Sequence, residues 1–325
     1  MKRILSGMRP TGKLHLGHLV GALDNWIKLQ EEYSCFFMVA DWHALMSEYE
    51  DPAGLKTNSL EMVADWLACG IDPKKSVIFI QSQIKEHLEL YIVFSVITPL
   101  GLLERCPTYK EQLRELKNRE LHTYGFLGYP VLQAADILLY RAETVPVGED
   151  QLPHLELTRQ IVRKFNNLYK EDYFPEPKAL LTRFQRLLGL DGRKMSKSYN
   201  NYISLSEEPE SIRKKIGNMF TDPARVRVSD PGHPEKCNVH NYYAVFAPEK
   251  KAGVDELCRK AKVGCTDCKR QLAEILVSHL SPIREKRTEL LADKDRLHSI
   301  LDEGAKKARE IAEDTMAQVR KRIGL

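Results

Sequence analysis

The chain has 325 residues with 43% hydrophobic and 29% charged side chains, ordinary proportions for a globular protein. They exclude a disordered tail, a collagen and a small disulfide scaffold, and the sequence has no apolar run near the ~20 residues that span a bilayer. The net charge of +4 is unevenly placed: residues 250–325 carry 18 Lys/Arg against 13 Asp/Glu, while the rest is nearly balanced. That excess suits a phosphate-backbone partner, and equally a solvated helical face. The apolar part of the N-terminus is too short for a signal peptide, so a cytoplasmic protein is expected.

Residues 2–6 read as a strand, followed by a loop holding Gly7, Pro10 and Gly12. A helical pattern then begins near Gly17, with Leu19, Leu23, Trp26 and Ile27 on one face. Continuous apolar strands are expected at 35–40 and 77–80, with a helix at 53–69 between them. A helix at 131–140, a strand at 144–147 and a helix at 154–169 continue the alternation. Buried strands alternating with helices indicate an α/β fold with a parallel sheet. Beyond Asn200 helices are expected at 207–217, 254–261, 269–280, 284–300 and 302–322. The chain therefore divides into a Rossmann-like α/β domain at 1–200 and an all-helical domain at 201–325, whose last helix is expected to pack back on the first domain.

Two short motifs carry chemistry. His15-Leu16-Gly17-His18 lies between the first strand and its helix. There Gly17 allows close backbone approach, free N–H groups face an anion, and both histidines can reach phosphate oxygens. Two histidines capping a loop would read the same way. Lys194-Met195-Ser196-Lys197-Ser198 lies in a polar loop, where two lysines separated by two residues can meet adjacent phosphate oxygens. Such a loop can deliver charge as pyrophosphate leaves and then withdraw. A solvated surface loop is the plain alternative for the lysines alone.

The seven cysteines fall into two sets. Cys35, Cys69 and Cys106 sit in apolar surroundings and are expected as small core residues. Cys237, Cys258, Cys265 and Cys268 cluster late in the chain, with Cys-x-x-Cys at the end. An odd total without a signal peptide argues against a disulfide framework and suits a metal site in a reducing compartment. Four unrelated thiols would be the alternative.

The spaced pair of motifs is the signature of class I aminoacyl-tRNA synthetases, and the chain resembles the bacterial tryptophanyl-tRNA synthetases along nearly its whole length. The likeness runs through residues 6–12, Asp41-Trp42-His43-Ala44, residues 129–140, residues 145–151 and Leu155-Glu156-Leu157-Thr158-Arg159. It implies a tryptophan--tRNA ligase that forms tryptophanyl-adenylate from ATP and tryptophan, and then charges tRNA(Trp). ATP would bind through Arg9, Pro10, Thr11, Gly17, His18, Gly148, Glu149, Asp150, Leu187 and residues 194–198 (Lys194, Met195, Ser196, Lys197 and Ser198). His15, His18, Lys194 and Lys197, with Mg²⁺, would stabilise developing charge without a covalent intermediate.

Asp136 matches the carboxylate that accepts the indole N–H, a group that donates and cannot accept. Tyr129, Gln133, Leu5, Val145, Val147 and Gln151 complete the implied tryptophan pocket. The chain departs from the family in having Gln133 where methionine is common, which suggests a polar contact to the substrate amine or Tyr129. It also has Leu5 where phenylalanine is common, and an alignment one position shorter around Leu187. The four late cysteines resemble a subset that binds a [4Fe-4S] cluster in the anticodon domain, with a slightly shorter first gap; zinc is the alternative. Arg259, Lys260, Lys262, Lys269 and Arg270 around them are candidate tRNA contacts. The likeness also implies a homodimer paired through residues 102–124. A tyrosyl-tRNA synthetase, a non-catalytic RNA-binding paralogue and a small-molecule nucleotidylyltransferase are the competing functions.

Overall fold

The computed structural model describes residues 1–115, 120–181 and 187–325, and omits the side chains of Glu115 and Ser198. Five strands, β1 (Arg3–Met8), β2 (Ser34–Val39), β3 (Ser76–Ile80), β4 (Thr144–Val147) and β5 (Lys178–Leu181), form one parallel sheet in the order β3-β2-β1-β4-β5. The helices of eight or more residues are α1 (Asp41–Glu48), α2 (Leu55–Cys69), α3 (Glu86–Ile97), α4 (Pro107–Glu115), α5 (Tyr124–Leu139) and α6 (Leu152–Leu168) in the first part. They continue as α7 (Pro209–Gly217), α8 (Asn238–Phe246), α9 (Pro248–Arg259), α10 (Cys265–Ala292) and α11 (Lys294–Ile323).

Alternation along each strand divides the core into two layers. Ile4, Cys35, Phe37, Val39 and Ile78 face one layer, closed by the helical segment 16–29, α2 and the C-terminal helices. Trp26 stacks on Phe37 there at 4.4 Å between centroids and meets Trp66 edge-on at 5.2 Å. Leu5, Phe36, Met38 and Phe79 face the other layer, with side chains from α3, α5, α6 and α11. Both faces are covered, which is why the strands read as continuous apolar runs.

The helical part is fastened to the sheet part at several points. Arg287 of α10 pairs with Asp65 at 2.6 Å and Glu61 at 2.8 Å on α2. Arg320 of α11 meets both oxygens of Glu89 on α3. Helix α11 also lies against β3, an edge strand, where Gly304 comes so close to the Ile78 carbonyl that an added Cβ would sit 1.8 Å from the oxygen. A covered edge cannot recruit another chain.

Several element boundaries differ from the sequence reading. The helix expected at 131–140 starts at Tyr124, because Thr123 caps it by accepting from the Phe126 N–H and Pro130 sits inside it. The helices expected at 269–280 and 284–300 are instead α10, which runs through Pro282, and the start of α11. The break falls at Asp293, whose side chain accepts from Arg296 N. Burial of Leu276, Leu280 and Leu290 on both sides of Pro282 outweighs the one lost helix bond. Strand β5 and helices α1, α3, α4 and α8 went unread. Cys35 and Cys106 are buried as expected, whereas Cys69 is half-buried.

Candidate functional site

The order of the sheet reverses at β1, which has β2 on one side and β4 on the other. A cavity of about 350 Å³ opens beyond the carboxyl ends of these strands, at the place where open α/β sheets bind ligands. Leu5, Ser6 and Gly7 come from β1, Met38 and Ala40 from β2 and its exit, and Val145 to Gly148 from β4 and its exit. Helix α5 adds Phe126, Tyr129, Gln133, Asp136 and Ile137. Of the expected tryptophan-pocket residues, Leu5, Tyr129, Gln133, Asp136, Val145, Val147 and Gln151 all line this one cavity. Arg9 and Gly148, expected at the ATP side, line it as well.

Asp136 is 2% exposed, and its carboxylate is held by three donors. Gln81 Nε2 and His87 Nδ1 reach Oδ1, and His43 Nε2 reaches Oδ2, each at 2.7 Å. Burial alone would push the carboxyl up, but the attraction and hydrogen bonds of His43 and His87 prevail and hold it at about 2. The donors are themselves oriented. Gln81 Oε1 accepts from Trp42 N, and His87 Nε2 meets the Tyr140 hydroxyl at 2.8 Å. An ionised carboxylate offers about four acceptor positions. Three are filled, two on Oδ1 and one on Oδ2, which leaves the fourth on Oδ2 of a residue that lines the cavity.

Tyr129 is fixed the same way. Its hydroxyl meets His154 Nε2 at 3.0 Å and receives Gln112 Nε2 at 3.3 Å. The tyrosine is thus engaged by these two side chains and not by Gln133, so of the two contacts expected of that amide the one to Tyr129 is not made. His43, Gln81, His87, Gln112 and His154 were missed as site residues. A signal existed for two of them: His43 lies in a segment already singled out, and His87 is a histidine beside an otherwise apolar helical run.

The histidine and lysine motifs meet each other, outside the lining of that cavity. His15 Nδ1 accepts from Gly17 N at 3.1 Å, and His18 Nδ1 accepts from His15 N at 3.2 Å. Each Nδ1 is thereby an acceptor, which leaves the ring proton on Nε2 as a donor. Burial, then the nearby Lys197 charge, lowers His15 to about 4. Burial, then His15 and Lys197, holds His18 well below its usual value. Both rings are therefore neutral Nε2–H donors at pH 7, the form in which the expected hydrogen bonds to phosphate oxygens can be made.

Lys197 Nζ donates to the carbonyls of Thr11 and Gly12 at 3.2 and 2.9 Å. Burial, then the neighbouring Arg9, lowers its pKa to about 8. Gly12 has φ +106°, a conformation that suits glycine and lets the lysine close on the turn. Leu14 and Leu16 pair with Leu205 and Ile203 through antiparallel backbone bonds, so the segment after the lysine loop is stitched to the histidine motif. Met195 packs against Gly17, where an added Cβ would stand 3.2 Å from the sulfur. Leu187 is buried in the same apolar cluster as Met195. Glu149 and Asp150 form the turn after β4, and Thr108 donates to the Asp150 carbonyl. The Ser198 side chain and residues 116–119 of the expected pairing segment lie outside the described residues.

A second, smaller cavity is lined by all four late cysteines, Cys237, Cys258, Cys265 and Cys268, together with Asp222, Arg225 and His240. Arg225 donates to Cys258 Sγ at 3.6 Å, and the backbone N–H groups of Val239, His240 and Asp222 act on the Cys237 sulfur. Burial, then mutual repulsion among the thiols, pushes Cys268 up to about 12. Among the described residues no group of three or more His, Cys, Asp or Glu is set to hold a metal ion. The nearby basic residues are mostly matched locally: Arg259 with Glu235, Lys260 with Glu256, Arg270 with Asp267, and Lys269 with the Gly217 carbonyl. Among the described residues no helix is long and apolar enough to cross a membrane.

The chain is similar to known proteins over its whole length. Residues 1–281 match the family model described as tRNA synthetases class I (W and Y). The tryptophan--tRNA ligase of Thermotoga maritima is 55% identical, with 99% of each chain covered, and that of Aquifex aeolicus is 44% identical over 99% of this chain and all of its own. The tryptophanyl-tRNA synthetase of Campylobacter jejuni, solved in complex with ADP and tryptophan, superposes with a TM-score of 0.91 at 38% identity, covering 99% of this chain and 100% of its own.

Proposed function

Because the chain belongs to the class I tRNA synthetase family of the W and Y type, we propose that its cavity takes tryptophan and ATP and that it charges tRNA(Trp). It is a tryptophan--tRNA ligase in its reaction: the tryptophan carboxylate attacks the α-phosphate of ATP, pyrophosphate leaves, and the ribose hydroxyl of the tRNA end then displaces AMP from the adenylate. ATP enters as its magnesium complex. The observation that carries this reading is the buried, ionised Asp136 with one acceptor position left on Oδ2. An indole N–H fits that position. A phenol oxygen there would need a donor as well, and His43, Gln81 and His87 are already committed to the carboxylate. Phenylalanine would leave the acceptor unmatched, a penalty that discriminates without editing.

For ATP, His15 and His18 supply neutral Nε2–H donors, and Lys194 and Lys197 supply charge as pyrophosphate forms, with Arg9, Pro10, Thr11, Gly17, Gly148, Glu149, Asp150, Leu187, Met195, Ser196 and Ser198 as the surrounding contacts. Residues 1–200 serve as the catalytic unit and 201–325 as the unit that reads the anticodon. A homodimer is supported by the exposed Ile92 and Val96, four residues apart on α3, with Leu100 and Tyr124 also exposed, an apolar surface that suits a second copy. A cytoplasmic setting suits seven free thiols.

We read the four late cysteines as a [4Fe-4S] site, with zinc as the alternative: no three of them are set around a single ion, but all four line one cavity and the Arg225 guanidinium donates to Cys258 Sγ, an outer contact of the kind such centres use. When bound, the cluster would staple the loop and helices that present Cys237, Cys258, Cys265 and Cys268. Iron, sulfide and zinc assays on anaerobically purified protein separate it from zinc. The function itself is tested by aminoacylation of a tRNA(Trp) transcript with tryptophan and with tyrosine. Charging by tryptophan alone is expected, and charging by tyrosine would overturn the assignment.

A further inference from the structure

Three consecutive carbonyls at the base of the lysine loop are each bound by a residue from the cysteine region. The Leu188 carbonyl accepts from the Tyr242 hydroxyl at 2.8 Å, and the Gly189 carbonyl from Asn238 Nδ2 at 2.7 Å. The Leu190 carbonyl accepts from Phe220 N at 2.8 Å. Asn238 is 1% and Tyr242 0% exposed. Each donor is next in sequence to a residue that lines the four-cysteine cavity or is bonded to one that does. Asn238 follows Cys237, Phe220 precedes Thr221 and Asp222, and Tyr242 precedes Tyr243, whose hydroxyl donates to the Cys268 carbonyl at 3.1 Å. Helix α8, with Cys237 at its N-cap, thus meets the cysteine site through Cys237 and Tyr243 and the loop base through Asn238 and Tyr242.

From that base the fold carries the constraint to the lysines. Leu188 pairs with Lys194 in an antiparallel bridge, and Gly189 N donates to the Arg193 carbonyl at 2.7 Å. Asn201 closes the far side: its amide donates to Asp191 and to the Lys194 carbonyl, and its oxygen accepts from Ser196 N. Gly189 packs so tightly that an added Cβ would lie 2.2 Å from the Asn201 amide nitrogen. Residues 188–201 therefore behave as one braced turn whose fixed end is α8 and the segment at Phe220.

We infer that Asn238, Tyr242 and Phe220 are positioning residues for pyrophosphate release, and that the state of the four-cysteine site is felt in the first reaction step, before any tRNA is bound. This inference rests on the adenylation reading above and assigns the cysteine site a role beyond holding the anticodon-reading region together. A rigid helix carries the coupling. Displacing Cys237 or Cys268 shifts α8, and α8 holds the carbonyls that aim Lys194 and Lys197.

The test combines hydrogen exchange with a tRNA-free assay. Tyr242→Phe and Asn238→Ala are compared with wild type for exchange protection of residues 187–201, for ATP–pyrophosphate exchange with tryptophan, and for metal content. The expected result is about tenfold loss of protection in that segment and a comparable fall in kcat, with KM for tryptophan and metal content unchanged. Unchanged protection and kcat in both variants would overturn the anchor, and loss of tryptophan binding along with kcat would mark a general folding defect instead. In wild type, stripping the four-cysteine site with a chelator is expected to deprotect 187–201 and slow the tRNA-free reaction. If stripping slowed only tRNA charging, the coupling would be refuted while the adenylation reading stood. If wild type gave no tryptophan-dependent exchange at all, the adenylation reading would fail, and the protection data on the variants would still decide the anchor.

Discussion

Replacing Asp136 with asparagine tests the cavity's chemistry atom by atom. Oδ1 receives two donors, from Gln81 and His87, and Oδ2 receives one, from His43. The amide oxygen of an asparagine will therefore settle at the Oδ1 position, which puts its NH₂ at Oδ2, where the indole N–H is to be accepted. Donor then faces donor. A hydrogen bond to a charged acceptor contributes about 1.5–3 kcal/mol, so kcat/KM for tryptophan should fall by roughly 10- to 150-fold. An analogue with sulfur in place of the indole N–H never made that bond and should lose much less. The assay is ATP–pyrophosphate exchange with both amino acids, and the readout is the tryptophan-to-analogue ratio of kcat/KM. Wild type should favour tryptophan by about that same factor, and Asp136→Asn should bring the ratio close to one. A ratio that does not change on substitution would refute Asp136 as the indole acceptor.

Lys194→Ala and Lys197→Ala should each lower the adenylation rate by about 100-fold or more while leaving tryptophan binding, followed by calorimetry, nearly intact; an unchanged rate in both variants would remove the loop from the chemistry. Gly304→Ala adds a methyl where the Ile78 carbonyl stands, and the overpacking, about 1–3 kcal/mol or more, should exceed the ~1 kcal/mol helix gain and lower Tm. A rise in Tm would mean that α11 does not press on β3. Stability should also fall on acidification in two windows. His15 is lowered to about 4, so the unfolded chain takes up a proton that the fold refuses as pH drops from 6.5 towards 4, at a cost approaching 3 kcal/mol. The lowered carboxyl of Asp136 adds about 2 kcal/mol that is present above pH 3.8 and lost as pH falls towards 2. Urea titrations across pH 3–7 would show the first window, and Asp136→Asn, compared below pH 4, would isolate the second.

Much of the fold was legible because burial on both sides of a parallel sheet leaves a plain mark. The runs at Cys35–Ala40 and Val77–Ile80 could only be interior strands, and they were. Strand β5 escaped because its residues, Lys178 to Leu181, are half-exposed at the sheet edge and lack that mark. The prolines misled for the opposite reason. Pro130 and Pro282 break local propensity, yet tertiary contacts carry α5 and α10 through them. The candidate site was legible where chemistry is written in short motifs, at His15–His18, Lys194–Ser198 and Asp136. Its supporting layer was not. Gln81, His87 and Tyr140 gather at Asp136, and His154 at Tyr129, only in three dimensions, and nothing in their spacing announces it. The same holds for Asn238 and Tyr242, which read as ordinary residues of a short helix until their partners on the lysine loop are seen.

The most direct measurement is tRNA-free ATP–pyrophosphate exchange with tryptophan and tyrosine side by side. Robust exchange with tryptophan and little or none with tyrosine is the expected result. Exchange driven by tyrosine, or by neither amino acid in folded, metal-replete protein, would contradict the central claim.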